Sequence, residues 1–178
     1  MKRNIRFIGW FLGYLWICTG ASFSVTGADL LVPSQYDTIQ AAIQAAQTGD
    51  SVIIADGIYS GTGNYNLDFD GKAITVRSEN GPLNCIIDIN QDFARGFIFN
   101  SGETTDSVLR GVTIQNGSFA FSNGGAINCI GASPVITECI FTANFAMFGG
   151  AIHLENSNAL VTHCVFDGNT ADVSSPSL

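Results

Sequence analysis

Asp68 and Asp70 stand two residues apart in Leu67-Asp68-Phe69-Asp70. On a strand that spacing turns both carboxylates to one face. There they could begin an oxygen cage for Ca²⁺, which takes roughly six to eight oxygens. The stretch lacks the Gly-rich nonapeptide of calcium-binding β-rolls. The competing reading is a solvated acidic face, so Ca²⁺ is the single cofactor considered. Asp88 and Asp92 read as residues flanking a turn. His153 and His163 are the only histidines, and with no shared ligands around them they read as outward polar residues on strands. Their offsets place His153 above Asn128 and His163 above Glu138, a contact that would favour protonated His163. No Asp-Asp pair or Gly-His-Gly segment is present. No catalytic residue is therefore assigned.

The charge balance narrows the partners. Lys2, Arg3 and Arg6 precede an uncharged apolar run from Phe7 to Ile17, and small residues follow up to Ala28. This is the pattern of a signal peptide over 1–28, with an uncleaved anchor as the alternative. From Asp29 onward four basic residues (Lys72, Arg77, Arg95, Arg110) face fifteen acidic ones, a balance of −11. Such a surface repels phosphate backbones, so nucleic acid is not expected as a partner. A cation or a glycan suits it better.

The elements that must position these residues come from a repeat. Gly124-Gly125-Ala126-Ile127 returns as Gly149-Gly150-Ala151-Ile152, and Cys139-Ile140-Phe141 with Asn144 returns as Cys164-Val165-Phe166 with Asn169, both at an offset of 25. Val112-Thr113-Ile114 looks like the same rung one turn earlier, at an offset of 27. A meander would not bring like residues alongside at a constant offset; stacked parallel coils do, about 4.8 Å apart. Phe141 is expected on Phe166, and Asn144 beneath Asn169 as an amide ladder, with the asparagines at turns where left-handed geometry is tolerated. The Gly-Gly pairs fit sharp bends.

Ahead of the repeat, Ile39, Ala42, Ile43 and Ala46 fall at helical spacing behind Asp37 and Thr38, either of which can cap a helix, and the stripe stops at Thr48-Gly49-Asp50. Residues 29–50 are expected to form a cap whose short helix covers the open end of the first coil. The first strand is expected at Val52-Ile53-Ile54. About five coils then run over 51–172, and 173–178 form a tail.

The Gly-Gly-Ala-Ile and Phe-x-x-Asn motifs (Phe141 to Asn144, Phe166 to Asn169) resemble those of polymorphic outer-membrane proteins and related bacterial surface proteins. The segments Thr38 to Ile43, Gly49 to Val52, Asp56 to Tyr59 and Val76 to Pro82 are similar to the N-terminal part of such proteins. The resemblance implies an all-β, right-handed parallel β-helix, a pectate-lyase-like solenoid. It also implies a secreted or cell-surface location, with a structural, adhesive or glycan-contacting role. Some β-helices are polysaccharide lyases or hydrolases, so the alternative function is cleavage of an acidic polysaccharide, with Arg95 and Arg110 as candidate basic residues near an acidic rung. No membrane barrel segment accompanies the two motif pairs, and the last coil is expected to lack a cap. It would meet a continuing domain or a second copy.

Cys85, Cys129, Cys139 and Cys164 remain after the leader. An even count in an exported chain suggests disulfides. Parallel stacking, however, holds the Cβ atoms of Cys139 and Cys164 about 4.8 Å apart, beyond the usual range for a bridge. Thiol titration of denatured, unreduced protein is therefore expected to find both free. A Cys139–Cys164 bridge would defeat the stacking geometry.

Overall fold

The computed structural model describes residues 27–172. The expected leader lies outside that range apart from its last two residues, and the expected tail lies wholly outside it. Apart from one helix, Ile39–Ala45, the regular structure is a series of short strands. They wind through three sheets, and every ladder between them is parallel. The first sheet stacks Asp29–Val32, Ser51–Ile54, Thr75–Ser78, Val108–Arg110, Val135–Thr137 and Leu160–Thr162, in chain order. The second runs from Gly57–Tyr59 through Cys85–Asp92 and Thr113–Asn123. It continues through Ile140–Thr142 and Phe145–Phe148 to Val165–Asp167 and Thr170–Ala171. The third stacks Leu67–Asp68, Phe97–Phe99, Ile127–Ile130 and Ile152–Glu155. Four turns thus supply a strand to every sheet and a fifth is begun. The molecule is a parallel β-solenoid.

Alternation along each strand decides what lies inside. Leu30, Val52, Val76, Leu109, Ile136 and Val161 form one inward column of register partners. Tyr59, Ile87, Ile114, Phe141 and Phe166 form a second. Phe141 and Phe166 are direct partners, with ring centroids 5.0 Å apart and planes 23° from parallel. Burial of each fully enclosed member, Phe141 among them, contributes about 1.5–3 kcal/mol.

Stacking leaves polar groups at the corners, and the asparagines satisfy them. The Gly117 amide donates to Asn144 Oδ1 at 2.9 Å, while Asn144 Nδ2 donates to the Ile114 carbonyl at 3.0 Å. One turn on, the Asn144 amide donates to Asn169 Oδ1 at 3.1 Å, and Asn169 Nδ2 donates to the Phe141 carbonyl at 2.8 Å. Asn144 Nδ2 also reaches Asn169 Oδ1 at 2.9 Å, closing the expected ladder. The asparagines are not themselves left-handed. That conformation falls one residue earlier, on Ala143 (φ 52°) and Gly168 (φ 60°), which frees each amide to point inward. Of the Gly-Gly pairs, Gly124 (φ 68°) and Gly149 (φ 61°) make the bend. Their neighbours are held by proximity: a Cβ on Gly125 would run into the Gly150 carbonyl, and one on Gly150 into that of Thr170.

The helix begins at Thr38, whose Oγ1 accepts the Ala41 amide at 3.3 Å. Its buried Ile39, Ala42 and Ile43 close the core against the first turn. Lys72 Nζ donates to the carbonyls of Ile43 (2.8 Å) and Gln44 (2.9 Å), at the helix end whose carbonyls lack partners. The first strand lies one rung earlier than expected. Asp29–Val32 pairs with Ser51–Ile54, burying Leu30 and Val32. Four residues beside a predicted cleavage site carry too short an alternation to be read as a strand.

Replacing Asn144 by Ala removes partners from the buried Gly117 amide and the Ile114 carbonyl, at about 1–3 kcal/mol for each orphaned group. Asn144→Ala is expected to lower the urea midpoint by an equivalent of at least about 2 kcal/mol. The same change at exposed Asn158 is expected to leave the midpoint within about 0.5 kcal/mol.

Candidate functional site

The solenoid departs from its own period at one corner. Ile140 pairs with Val165 at an offset of 25, but with Thr113 at 27. The difference is localised: Ala146 pairs with Phe119 and Phe148 with Asn123, so the earlier coil has two extra residues between those pairs. The surplus bulges outward and carries Phe121, which is 74% exposed. The coil below is irregular at the neighbouring position. Its register slips between Asp88 and Gln91, where Asn90 takes a positive φ of 36°. Past that slip Phe93, itself left-handed at φ 60°, is 54% exposed. The two departures bring the rings together. Phe93 and Phe121 stack with centroids 6.1 Å apart and planes 14° from parallel, and Phe119 meets Phe93 edge-on at 6.2 Å. The result is an aromatic shelf on the side of the solenoid, on the second sheet's edge, where apolar rings have no packing reason to be exposed.

Arg95 supports the shelf from beneath. Its guanidinium lies 4.2 Å from the Phe119 ring centroid, a cation–π contact. Nη1 donates to the Asn123 carbonyl at 2.6 Å and Nη2 to Ser122 Oγ at 3.2 Å. These bonds tie the bulge to the coil below. Burial holds the guanidinium below the usual arginine range, and no described carboxylate pairs with it. Arg95 is 5% exposed. The sequence reading that makes Arg95 a basic residue for an acidic substrate is therefore corrected: its donors face the protein.

The other candidates take structural roles. Asp68 and Asp70 do not share a strand face. The strand ends at Asp68, and Asp70 is left-handed (φ 53°) in the following turn, its amide donating to Asp68 Oδ1 at 2.8 Å. Glu103 joins them in space and is also occupied, accepting the amides of Gly71 (2.9 Å) and Ser101 (3.0 Å). Among the described residues no group of three or more His, Cys, Asp or Glu side chains could hold a metal ion. Asp88 and Asp92 lie within one paired strand segment instead of flanking a turn. Glu138 is taken by Arg110, with Nε to Oε2 at 2.9 Å, in place of His163. His163 sits at a left-handed turn (φ 54°) and not on a strand, because residues 138 and 163 both occupy the bend after the first sheet. His153 stacks on Asn128 as expected, and its Nε2 lies 3.2 Å from Asn123 Nδ2. Cys139 and Cys164 are free and in contact. Hydrogen bonding between them and burial hold the Cys139 thiol well above its ordinary range, while the same bond lowers Cys164 to about 7.

Comparisons with known proteins returned no family whose model matches the chain, no matching curated protein and no matching solved structure. The shelf residues Phe93, Phe119 and Phe121 are absent from the candidates read from sequence. Their signal is the change of offset from 27 to 25, which marks an insertion, together with the alternating Phe119-Ala120-Phe121 inside it.

Desolvation, then the charges of Asp70 and Glu103, raise the Asp68 carboxyl above its ordinary 3.8, outweighing the Asp70 amide bond that lowers it. The folded state thus holds this proton more tightly than the unfolded chain. Stability is lost as pH rises through the window above 3.8. Asp68→Asn keeps the acceptor and removes the charge. It is expected to stabilise at pH 7 by at most about 0.5 kcal/mol, given solvent screening, and not at all at pH 3, as read from thermal melts at both values.

Proposed function

We propose that this protein is an exported, non-catalytic β-helix module that contacts glycans at the cell surface or outside the cell, through the Phe93–Phe121 shelf. The observation that carries the reading is the pair of parallel, solvent-exposed rings built by two coordinated departures from the coil period. An aromatic face is electron-rich, and the C–H face of a pyranose ring is apolar with slightly positive hydrogens, so the two surfaces complement each other. Base stacking would suit the same rings. The −11 balance from Asp29 onward opposes the phosphates that would accompany bases.

The location rests on the signal-peptide pattern at 1–28 and on the likeness of the Gly-Gly-Ala-Ile and Phe-x-x-Asn repeats to those of polymorphic outer-membrane proteins. A non-catalytic role is supported by the commitments of the chemistry-bearing side chains. Arg95 is tied to Asn123 and Ser122, and Asp68 and Glu103 accept backbone amides. A second partner belongs to the last described rung. Leu160, Val165 and Phe166 are each more than half exposed there, beside a hollow of about 400 Å³ that Phe166 lines with Ile152, Leu154 and Val161. A further parallel rung, from a continuing chain or another copy, would bury Phe166 as Phe166 buries Phe141, and would half-cover Leu160 and Val165.

Affinity electrophoresis through gels containing neutral or acidic polysaccharides tests the glycan reading. Retardation in at least one gel is expected, and the Phe93→Ala/Phe121→Ala double variant is expected to bind about tenfold more weakly, from two lost stacking contacts of about 0.5–1.5 kcal/mol each. Unretarded wild-type protein in every gel, or equal retardation of the variant, would refute it. New unsaturated or reducing ends in the same incubations would point to cleavage instead.

A further inference from the structure

Two of the four basic residues beyond Asp29, Arg77 and Arg110, are direct register partners on the outer face of the first sheet. Like charges facing each other on neighbouring strands are destabilising, so stability does not explain the pair. Arg110 is neutralised by Glu138 on the next rung, with Nε to Oε2 at 2.9 Å. Arg77 is not: no described carboxylate lies within ion-pair reach of it. Among the described residues its one side-chain hydrogen bond is Nη1 donating to the neighbouring Ser78 carbonyl at 3.1 Å. A guanidinium carries five N–H donors in a planar fork, so most of this one is unspent.

Beside it lies a small notch of about 180 Å³, lined by Arg77, Arg110, Ser78, Gly81, Gly111 and Glu138, with Glu79 at its wall. Two left-handed bends shape it, Gly81 (φ 96°) and Gly111 (φ 68°). A Cβ on Gly111 would come within 2.8 Å of Ser78 Oγ, and its left-handed φ would strain any side chain there.

We propose that this notch binds a small carboxylate, gripped by the free edge of the Arg77 guanidinium. A planar fork matches a planar carboxylate in bidentate fashion, and the hollow has room for one such group. Glu138 does not compete, because Arg110 holds it. Glu79 opposes the ligand and sets an upper limit on affinity. The site lies on the corner between the first and second sheets and does not depend on the aromatic shelf or on the glycan reading.

The test is a titration of the full-length protein with sodium acetate at constant ionic strength, following arginine Nε–H resonances by NMR, with sodium sulfate in a parallel arm. Saturable shifts of the Arg77 signal are expected in acetate. Arg77→Gln is expected to weaken binding at least about tenfold, the loss of a charge-assisted contact. Arg77→Lys keeps the charge but not the fork and is expected to fall between the two. Glu79→Gln is expected to tighten binding severalfold. All of these side chains face outward, and unchanged thermal melts would establish that the variants fold. Non-saturable shifts, equal binding by Arg77→Gln, or sulfate binding as tightly as acetate would overturn the proposal.

Discussion

Register between successive turns is the constraint on which the rest depends. A parallel rung has no partner within its own coil. Its backbone groups bond only to the turns before and after, and its inward side chains pack only on their counterparts there. Once Phe141 is set on Phe166 and Ile127 on Ile152, the chain between has little freedom. The corners must turn at matching points, which is why left-handed residues recur at 138 and 163, 143 and 168, and 124 and 149. The asparagine ladder belongs to the same constraint. Asn144 and Asn169 bond to corner amides and carbonyls that the strands cannot pair.

Against so regular a frame, a departure is informative. A coil can accept extra residues only where they leave the stack sideways, since an insertion within a strand would turn its inward face outward. The two residues added between Phe119 and Asn123 do this, and the slip near Asn90 does so one coil below. Arg95 then fastens the bulge to its own coil through Phe119, Ser122 and Asn123. A buried guanidinium is costly unless its donors and charge are satisfied. Here a backbone carbonyl, a hydroxyl and an aromatic face share that task. The shelf is thus an anchored feature, with its rings on the outside and its support within.

What could be read from the chain follows the same division. The helix was legible because Ile39, Ala42 and Ile43 make a stripe behind a capping Thr38, a signal local to seven residues. The solenoid was legible because identical motifs recur at one offset. Single-copy features were harder. Asp29–Val32 pairs with a strand more than twenty residues away, and nothing inside its four residues announces that. Asp68 and Asp70 alternate in sequence, yet the strand stops between them once Asp70 turns left-handed to donate to Asp68. The left-handed corner fell to Ala143, a residue with no intrinsic preference for it, because Asn144 was needed for its amide. The shelf joins Phe93 to Phe121 across two coils, and only the mismatch between offsets of 27 and 25 hinted at the insertion.

The amide of Asn169 reaches back to the Phe141 carbonyl, as that of Asn144 reaches back to Ile114. Each corner is therefore completed by residues synthesised later than itself, and none waits on residues still further along. Such a ladder has a sense of growth. A chain emerging N-terminus first, already sealed at its base by the helix, can lay down one winding after another. Each newcomer completes the corner beneath it, so folding can proceed in the order of synthesis.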